Sequence, residues 1–193
     1  IARSEFGITN GIFWSPLSNK IAFYQKDESN VKSYPLLDIS KTPGVLNSIK
    51  YPMAGQGSEI PKVGVYDVKT SKVVYVEFKG EEDHYLTNLA WTPDEKFILI
   101  AEVNRKQNHM DLNKYDAENG KFVETLFEEK NEKYVEPENP AYFIPDNSNK
   151  FIWVTEKDGY NNLYLFDINT KKEEQITTNK WPVKEVLEVT KEG

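Results

Sequence analysis

Three times along this chain an aromatic residue or pair runs into a proline turn, an apolar strand follows, and an aromatic-Asp pair closes the unit. The first copy reads Phe13-Trp14-Ser15-Pro16, then Lys20-Ile21-Ala22-Phe23-Tyr24, then Val65-Tyr66-Asp67. The second reads Ala90-Trp91-Thr92-Pro93-Asp94, then Phe97-Ile98-Leu99-Ile100-Ala101, then Lys114-Tyr115-Asp116. The third reads Tyr142-Phe143-Ile144-Pro145-Asp146, then Phe151-Ile152-Trp153-Val154, then Leu165-Phe166-Asp167. Pro93 stands 23 residues before Asp116 and Pro145 stands 22 before Asp167, whereas Pro16 stands 51 before Asp67. The closing aspartates are 49 and 51 residues apart. A period of this size marks a repeat architecture, in which one supersecondary unit cannot bury its apolar face alone.

Each unit reads as four short strands. The apolar runs are brief and rich in Ile, Val, Phe and Tyr, which favours strands over helices. Pro presets φ at the second turn position, and Asp after it suits a type I turn. Asp158-Gly159 fits the turn between strands two and three of the third unit. Asn119-Gly120 fits the turn between strands three and four of the second, where Gly tolerates positive φ. Val73–Phe78, Phe122–Phe127 and Glu174–Thr177 are the expected fourth strands, and Trp181–Val189 the opening strand of a further unit. Four-stranded units of about 50 residues are propeller blades. The expectation is therefore an all-β chain, a partial β-propeller of about 3–4 four-stranded antiparallel blades. It forms one domain over 1–193, with blades near 11–80, 85–130 and 138–178 and the next beginning at 181–193. Such an arc should leave unpaired edge strands open to a second chain. A generic β-sandwich would also give short strands and turns, but not this spacing. About 28 extra residues lie between the second and third strands of the first unit, spanning roughly 26–62. They read as a long loop carrying Tyr34-Pro35-Leu36-Leu37-Asp38-Ile39 and Tyr51-Pro52-Met53-Ala54-Gly55, either functional or merely pinned to the blade.

Composition narrows the function. A formal net charge of −7 argues against a duplex-binding protein, which needs a basic face, so no nucleic-acid partner is expected. Absence of cysteine removes disulfides, a thiol nucleophile and thiolate metal sites. No apolar run approaches the ~20 residues of a membrane-spanning helix. The chain opens at Ile1 and closes at Gly193 without a leader or a natural stop, which reads as a piece of a longer protein.

Little in the sequence carries chemistry. There is no G-x-S-x-G elbow. Gly55-Gln56-Gly57-Ser58 lacks the closing glycine and reads as a flexible loop. His84 follows the acidic run Glu81-Glu82-Asp83 and reads as part of a solvated blade connection. His109 falls between strands two and three of the second blade, in a surface or hairpin role. Neither sits in a zinc-binding pattern, so no metal and no cofactor are expected. Glu128-Glu129 and Glu173-Glu174 read as solubilising strand ends rather than acid/base dyads.

The order of these motifs resembles the propeller of the dipeptidyl peptidase IV family, in particular its bacterial branch, which includes prolyl tripeptidyl peptidases. The resemblance rests on Phe13-Trp14-Ser15-Pro16 through Ala22-Phe23-Tyr24, Tyr51-Pro52-Met53-Ala54-Gly55 and Trp91-Thr92-Pro93-Asp94. It continues through Asn104-Arg105-Lys106-Gln107-Asn108, Asp111 to Asp116, Asp158-Gly159-Tyr160 and Ile176-Thr177. It implies an eight-bladed propeller joined to an α/β-hydrolase domain that holds the Ser, Asp and His triad and is absent from this chain. It implies a serine exopeptidase that removes di- or tripeptides after proline, with this segment inactive by itself and selecting substrate. Implied partners are peptides with a free N-terminus and a nearby proline, the hydrolase domain of the same chain, and a second copy in a homodimer. The implied location is the periplasm or cell envelope. By the same resemblance Glu5, in Arg3-Ser4-Glu5-Phe6-Gly7, holds the substrate's α-amino group. The family's vertebrate members have two adjacent glutamates there, so one acid leaves dipeptide against tripeptide release open. Tyr134 and Glu136, in Tyr134-Val135-Glu136-Pro137, fall where the family has a loop facing the substrate's first residues. The competing class is a stand-alone propeller that serves as a protein-interaction platform. A third reading is an aminopeptidase of the same superfamily with other specificity.

Overall fold

The computed structural model describes residues 5–78, 80 and 84–191, with Glu5 described by its backbone alone. Three four-stranded antiparallel sheets follow one another along the chain. The first contains β1 (Ile12–Trp14), β2 (Lys20–Asp27), β5 (Ile60–Asp67) and β6 (Val73–Tyr75). Between β2 and β5 lies a separate two-stranded ribbon of β3 (Ser33–Asp38) and β4 (Val45–Lys50). The second sheet runs β7 (His84–Trp91), β8 (Phe97–Asn104), β9 (His109–Asp116) and β10 (Phe122–Lys130). The third runs β11 (Tyr142–Phe143), β12 (Lys150–Thr155), β13 (Asn162–Asp167) and β14 (Lys172–Gln175).

The repeated residues do the same job in each sheet. The residue that opens the second strand pairs with the recurring aspartate: Lys20 with Asp67, Phe97 with Asp116, Lys150 with Asp167. Each of those aspartates then folds the turn into the fourth strand by accepting backbone N–H groups. Asp67 Oδ1 takes Thr70 N at 2.7 Å, Asp116 Oδ1 takes Glu118 N at 2.8 Å, and Asp167 Oδ1 takes Asn169 N at 2.9 Å. This is the Asx-turn chemistry that makes Asp a turn residue. Hydrogen bonds to the ionised form hold the Asp67 and Asp167 carboxyls below the ordinary range, from Thr70 in the first case and Thr170 foremost in the second.

The proline turns close with Ser18 N on Ser15 O at 2.9 Å, Glu95 N on Thr92 O at 2.9 Å and Asn147 N on Ile144 O at 3.0 Å. The left-handed residue is the fourth of the turn in the first two (Ser18, Glu95) but the third in the last, where Asp146 has φ 59°. The third turn is thus of type II shape, not the expected type I.

The sheets stack through their faces. Ile98 and Ile100 of β8 pack toward the first sheet with Ala22, Val63, Val65, Leu86 and Tyr115. Leu99, Ala101 and Val103 of the same strand pack toward the third with Met110, Leu112, Phe151, Trp153 and Phe166. Both faces of β8 are therefore core, which is why its sequence is an unbroken apolar run rather than an alternation.

Polar straps lock neighbouring sheets. Glu95, 6% exposed, accepts Leu17 N at 2.5 Å and Asn19 Nδ2 at 2.9 Å from the first sheet's proline turn. Trp91 Nε1 donates to Phe13 O at 3.1 Å, and Glu77 N to Gly120 O at 2.9 Å. Gly120, at φ 76°, is where a β-carbon would fall 2.1 Å from the Tyr75 carbonyl oxygen, so the seam requires glycine.

Several expectations are corrected. The segment expected as a long loop carries the β3–β4 ribbon, because its apolar residues pair across a hairpin. The fourth strand of the first sheet stops at Tyr75 rather than Phe78, since Glu77 and Phe78 cross to the second sheet, where Phe78 meets Tyr115 at 5.5 Å. In the third sheet the fourth strand is Lys172–Gln175, because Ile176 and Thr177 both turn inward to bond Leu163. Residues 181–189 form no strand, and Val183 N bonds Asn161 O at 2.8 Å instead.

Replacing Glu95 by Ala removes a buried charged acceptor for two donors and is expected to cost about 1.5–3 kcal/mol, the worth of hydrogen bonds to a charged group. Burial alone would push the Glu95 carboxyl up, but hydrogen bonds from Ser15, Asn19 and Leu17 outweigh it and hold it down. Its contribution is therefore complete above the ordinary carboxylate value and disappears as pH falls through the lowered native value. Denaturant unfolding of both proteins at pH 7 and pH 3 checks this. The gap should shrink in acid, and an equal gap at both pH values refutes the assignment.

Candidate functional site

The described side chains of the expected site gather around the connection between β10 and β11, residues 131–141. Four devices hold this loop. Asn131 N donates to Asn108 O at 3.1 Å and Val135 N to Gln107 O at 2.6 Å, tying the loop to the β8–β9 turn. Val135 itself is buried in the core between the second and third sheets. Buried Asn88 donates through Nδ2 to Pro137 O at 2.6 Å. Finally, the N-terminal turn Glu5–Gly7 is wedged against the loop, because a β-carbon at Gly7 (φ 68°) would fall 2.0 Å from the Glu138 carbonyl oxygen.

Three of these devices exploit a backbone irregularity. Asn88 has φ 51° and sits where the β7–β8 register slips between Thr87 and Ala90. That bulge turns an amide out of the ladder and toward Pro137. Gln107 has φ 55° in the β8–β9 turn. Phe6, at φ 51°, is buried against the ring of Tyr85, 5.2 Å away. The Arg105 guanidinium donates to the Tyr85 hydroxyl at 2.7 Å and lies 5.3 Å from its ring centroid. The N-terminal turn, the Arg105 side chain and the 131–141 loop thus share one end of the seam.

Beneath the loop is a cavity of about 520 Å³, within the range of ligand pockets. Tyr134 and Glu136 both line it, and both are exposed. The adjacent Glu156 carboxylate pushes the Tyr134 phenol up. The backbone of Glu5 lies in the turn that abuts Glu138, another lining residue. The Glu5 side chain, and Arg3 and Ser4 with it, lie outside the described residues.

The pair Glu128-Glu129 divides between two faces. Glu128 joins His109 Nε2 at 3.2 Å and Lys130 Nζ at 2.7 Å. Glu129 points into the seam, where Trp153 Nε1 donates to it at 2.9 Å and Thr155 Oγ1 at 3.0 Å. Burial pushes the Glu129 carboxyl up. The bonds from Thr155 and Trp153, and the charge of Lys157, oppose this without overcoming it. Glu173, of the second acidic pair, is bound to Lys157. Neither pair forms an acid/base dyad.

His109 opens β9 rather than lying in the turn before it, and His84 opens β7 with its ring 5.6 Å from Phe78. The acidic run Glu81-Glu82-Asp83 lies outside the described residues. His109 Nε2 also meets Asp111 Oδ1 at 3.1 Å, so one imidazole nitrogen faces two carboxylates. Among the described residues, this trio alone gathers three metal-ligating groups within 4.8 Å. Lys130 already neutralises Glu128 there. Asn88 and Glu129 were not singled out from the sequence as site residues. The polar pair Thr87-Asn88 inside an otherwise apolar strand was the available signal for the first, and nothing local distinguishes Glu129 from Glu128.

Three successive four-stranded antiparallel sheets, stacked face to face, define a segment of a β-propeller. The match to the dipeptidyl peptidase IV N-terminal region covers residues 1–193, and the chain belongs to that family. The structure superimposes on a dipeptidyl aminopeptidase IV-like protein from Bacteroides ovatus with a TM-score of 0.91 and 44% identity, covering 97% of this chain and 29% of that one. It superimposes on Porphyromonas gingivalis dipeptidyl peptidase 4 with a TM-score of 0.79 and 26% identity, covering 94% of this chain and 26% of that one. Dipeptidyl peptidase 4 of Felis catus is 26% identical over 203 residues, 92% of this chain and 26% of the relative. The chain therefore spans about a quarter of the length of the relatives it matches. The all-β partial propeller expected from the repeat is what these superpositions show.

The ionised form of Glu129 is disfavoured by the fold, so its native pKa lies above the unfolded value. Wild type should lose stability relative to Glu129→Gln as pH rises from about 4.3, the ordinary carboxylate value, through the native pKa. The amide keeps both contacts if its oxygen accepts from Trp153 and its NH₂ donates to the Thr155 hydroxyl. Unfolding midpoints at pH 4 and pH 8 test this, with the variant gaining on wild type between the two. A variant less stable at pH 8 than at pH 4, relative to wild type, contradicts the assignment.

Proposed function

We propose that this segment selects substrate for a serine-type exopeptidase that releases N-terminal di- or tripeptides after proline, the chemistry being carried by a hydrolase domain elsewhere in the parent protein. The observation that carries this reading is the N-terminal turn Glu5–Gly7, wedged onto the loop that holds Tyr134 and Glu136 in a chain matched along its whole length by the family. Glu5 supplies a carboxylate for the peptide's ammonium. Tyr134 and Glu136 line the wall met by its first residues. An ammonium held at a fixed distance from a distant nucleophile measures residues from the N-terminus, which is how a binding group makes an exopeptidase. By the same reading the parent works in the periplasm or cell envelope.

The test uses the full-length parent, wild type and Glu5→Ala, on Gly-Pro and Ala-Ala-Pro chromogenic substrates. Loss of one charge-assisted hydrogen bond should lower kcat/KM roughly 10–100-fold. The better substrate sets the length of peptide released. Full activity in the variant removes Glu5 from the site, and no turnover of either substrate by wild type sinks the post-proline reading.

The partner proposed for the β3–β4 ribbon is a second copy of the parent. The ribbon stands apart from the three sheets and exposes Leu37, Ile39 and Leu46 at 63%, 82% and 69%. A lone two-stranded ribbon is marginal in water, and its free edges are templates for pairing. Sedimentation of the full-length protein should show a dimer that Leu37→Asp with Leu46→Asp converts to monomer. A monomeric wild type, or an unchanged dimer in the double variant, rejects this.

A further inference from the structure

Glu129 is a carboxylate kept in the seam without a cation of its own. Its two oxygens accept from Trp153 and Thr155, both buried, which fixes the group in place. Among the described residues no ammonium or guanidinium stands at ion-pair distance from it. The nearest candidate, Lys157, lines the same cavity but is bound to Glu173, with its ammonium 4.1 Å from the centre of the Tyr164 ring. Each carboxylate oxygen can accept a second hydrogen bond, and Glu129 lines the cavity. The rest of the wall adds negative charge. Glu136, Glu138 and Glu156 line it together with Lys133, and Lys130 is paired with Glu128, so acids outnumber cations around the cavity.

A half-buried carboxylate that gains two neutral donors, and whose nearby cation Lys157 is already bound to Glu173, is a cost to the fold. A cationic ligand reverses that sign. The cavity's volume of about 520 Å³ accommodates a long side chain, whose methylenes can run along Tyr134 and Val154 while the head group reaches Glu129. A guanidinium suits the place best, because its forked donors match the two oxygens.

We propose that this cavity binds an arginine or lysine side chain of the peptide ligand, with Glu129 as its anchor. The inference rests on the reading that the segment handles peptides, and gives that reading a preferred class of peptide.

The experiment uses the full-length parent and a matched pair of probes, Arg-Pro- and citrulline-Pro-aminocoumarin amides. Citrulline keeps the shape of arginine and removes its charge. Wild type should favour the arginine probe by roughly 10–100-fold in kcat/KM, the span expected for one charge-assisted bond. Glu129→Gln, folded by its denaturation midpoint, should bring the ratio to within a few-fold of one, and Glu129→Asp should keep part of the preference. The same pair presented as fluorescent peptides in an anisotropy titration gives the ratio as Kd. This second readout separates two failures. If wild type turns over no Xaa-Pro substrate yet binds the arginine peptide through Glu129, the peptidase reading falls and the cation site stands. If wild type treats arginine and citrulline alike in both readouts, or the Gln variant keeps the full preference, the cation site is overturned even where Gly-Pro is cleaved.

Discussion

The central sheet buries both of its faces, and the rest of the molecule is arranged around that fact. Ile98, Leu99, Ile100 and Ala101 are each without solvent exposure, two turned to either side. A sheet built this way has no stable existence alone. Its core is made only when a similar sheet lies on each side, which is the nearest-neighbour logic of repeat proteins. The seams therefore carry both the stability and the specificity of assembly. Packing supplies the first, and directed bonds such as Glu95 to Leu17 and Trp91 to Phe13 set how neighbouring sheets are registered.

This also explains which parts of the fold were legible in the sequence. The recurring Asp67, Asp116 and Asp167 announce themselves because one carboxylate accepts the N–H of the third residue after it in every unit. The apolar runs are legible because both faces of the second strand are core. What resisted reading is where the chain leaves the repeat. Glu77 and Phe78 look like strand but serve the next sheet, and the β3–β4 ribbon is written in the same β-formers as a pinned loop. Strand length at an edge depends on which partner is nearer, and that is a property of the assembled sheets rather than of local propensity.

The site was less legible than the fold. Tyr134 and Glu136 were placed through resemblance, and they do share a cavity wall. Asn88 and Glu129 have roles that exist only after folding. Asn88 reaches Pro137 across 49 positions of sequence because a bulge redirects its amide. Glu129 differs from Glu128 solely by the alternation of a strand, which sends one carboxylate to His109 and Lys130 and the other into the seam.

Positive-φ residues hold both seams, and Ser18, Glu95 and Gly120 lie at the contact of the first and second sheets. Phe6, Gly7, Asn88 and Gln107 all have positive φ, and all four hold or abut the 131–141 loop. For Phe6 this conformation is unfavourable in itself, since an aromatic residue with a β-carbon gains nothing from the left-handed region. Burial of its ring against Tyr85 offsets that cost. The seam beside that loop also keeps Glu129, a carboxyl whose ionised form burial disfavours, next to Glu136, Glu138 and Glu156 on the cavity wall. What separates the two seams is the state of their buried acids: hydrogen bonds hold the Glu95 carboxyl down between the first and second sheets, whereas burial outweighs the bonds to Glu129 between the second and third.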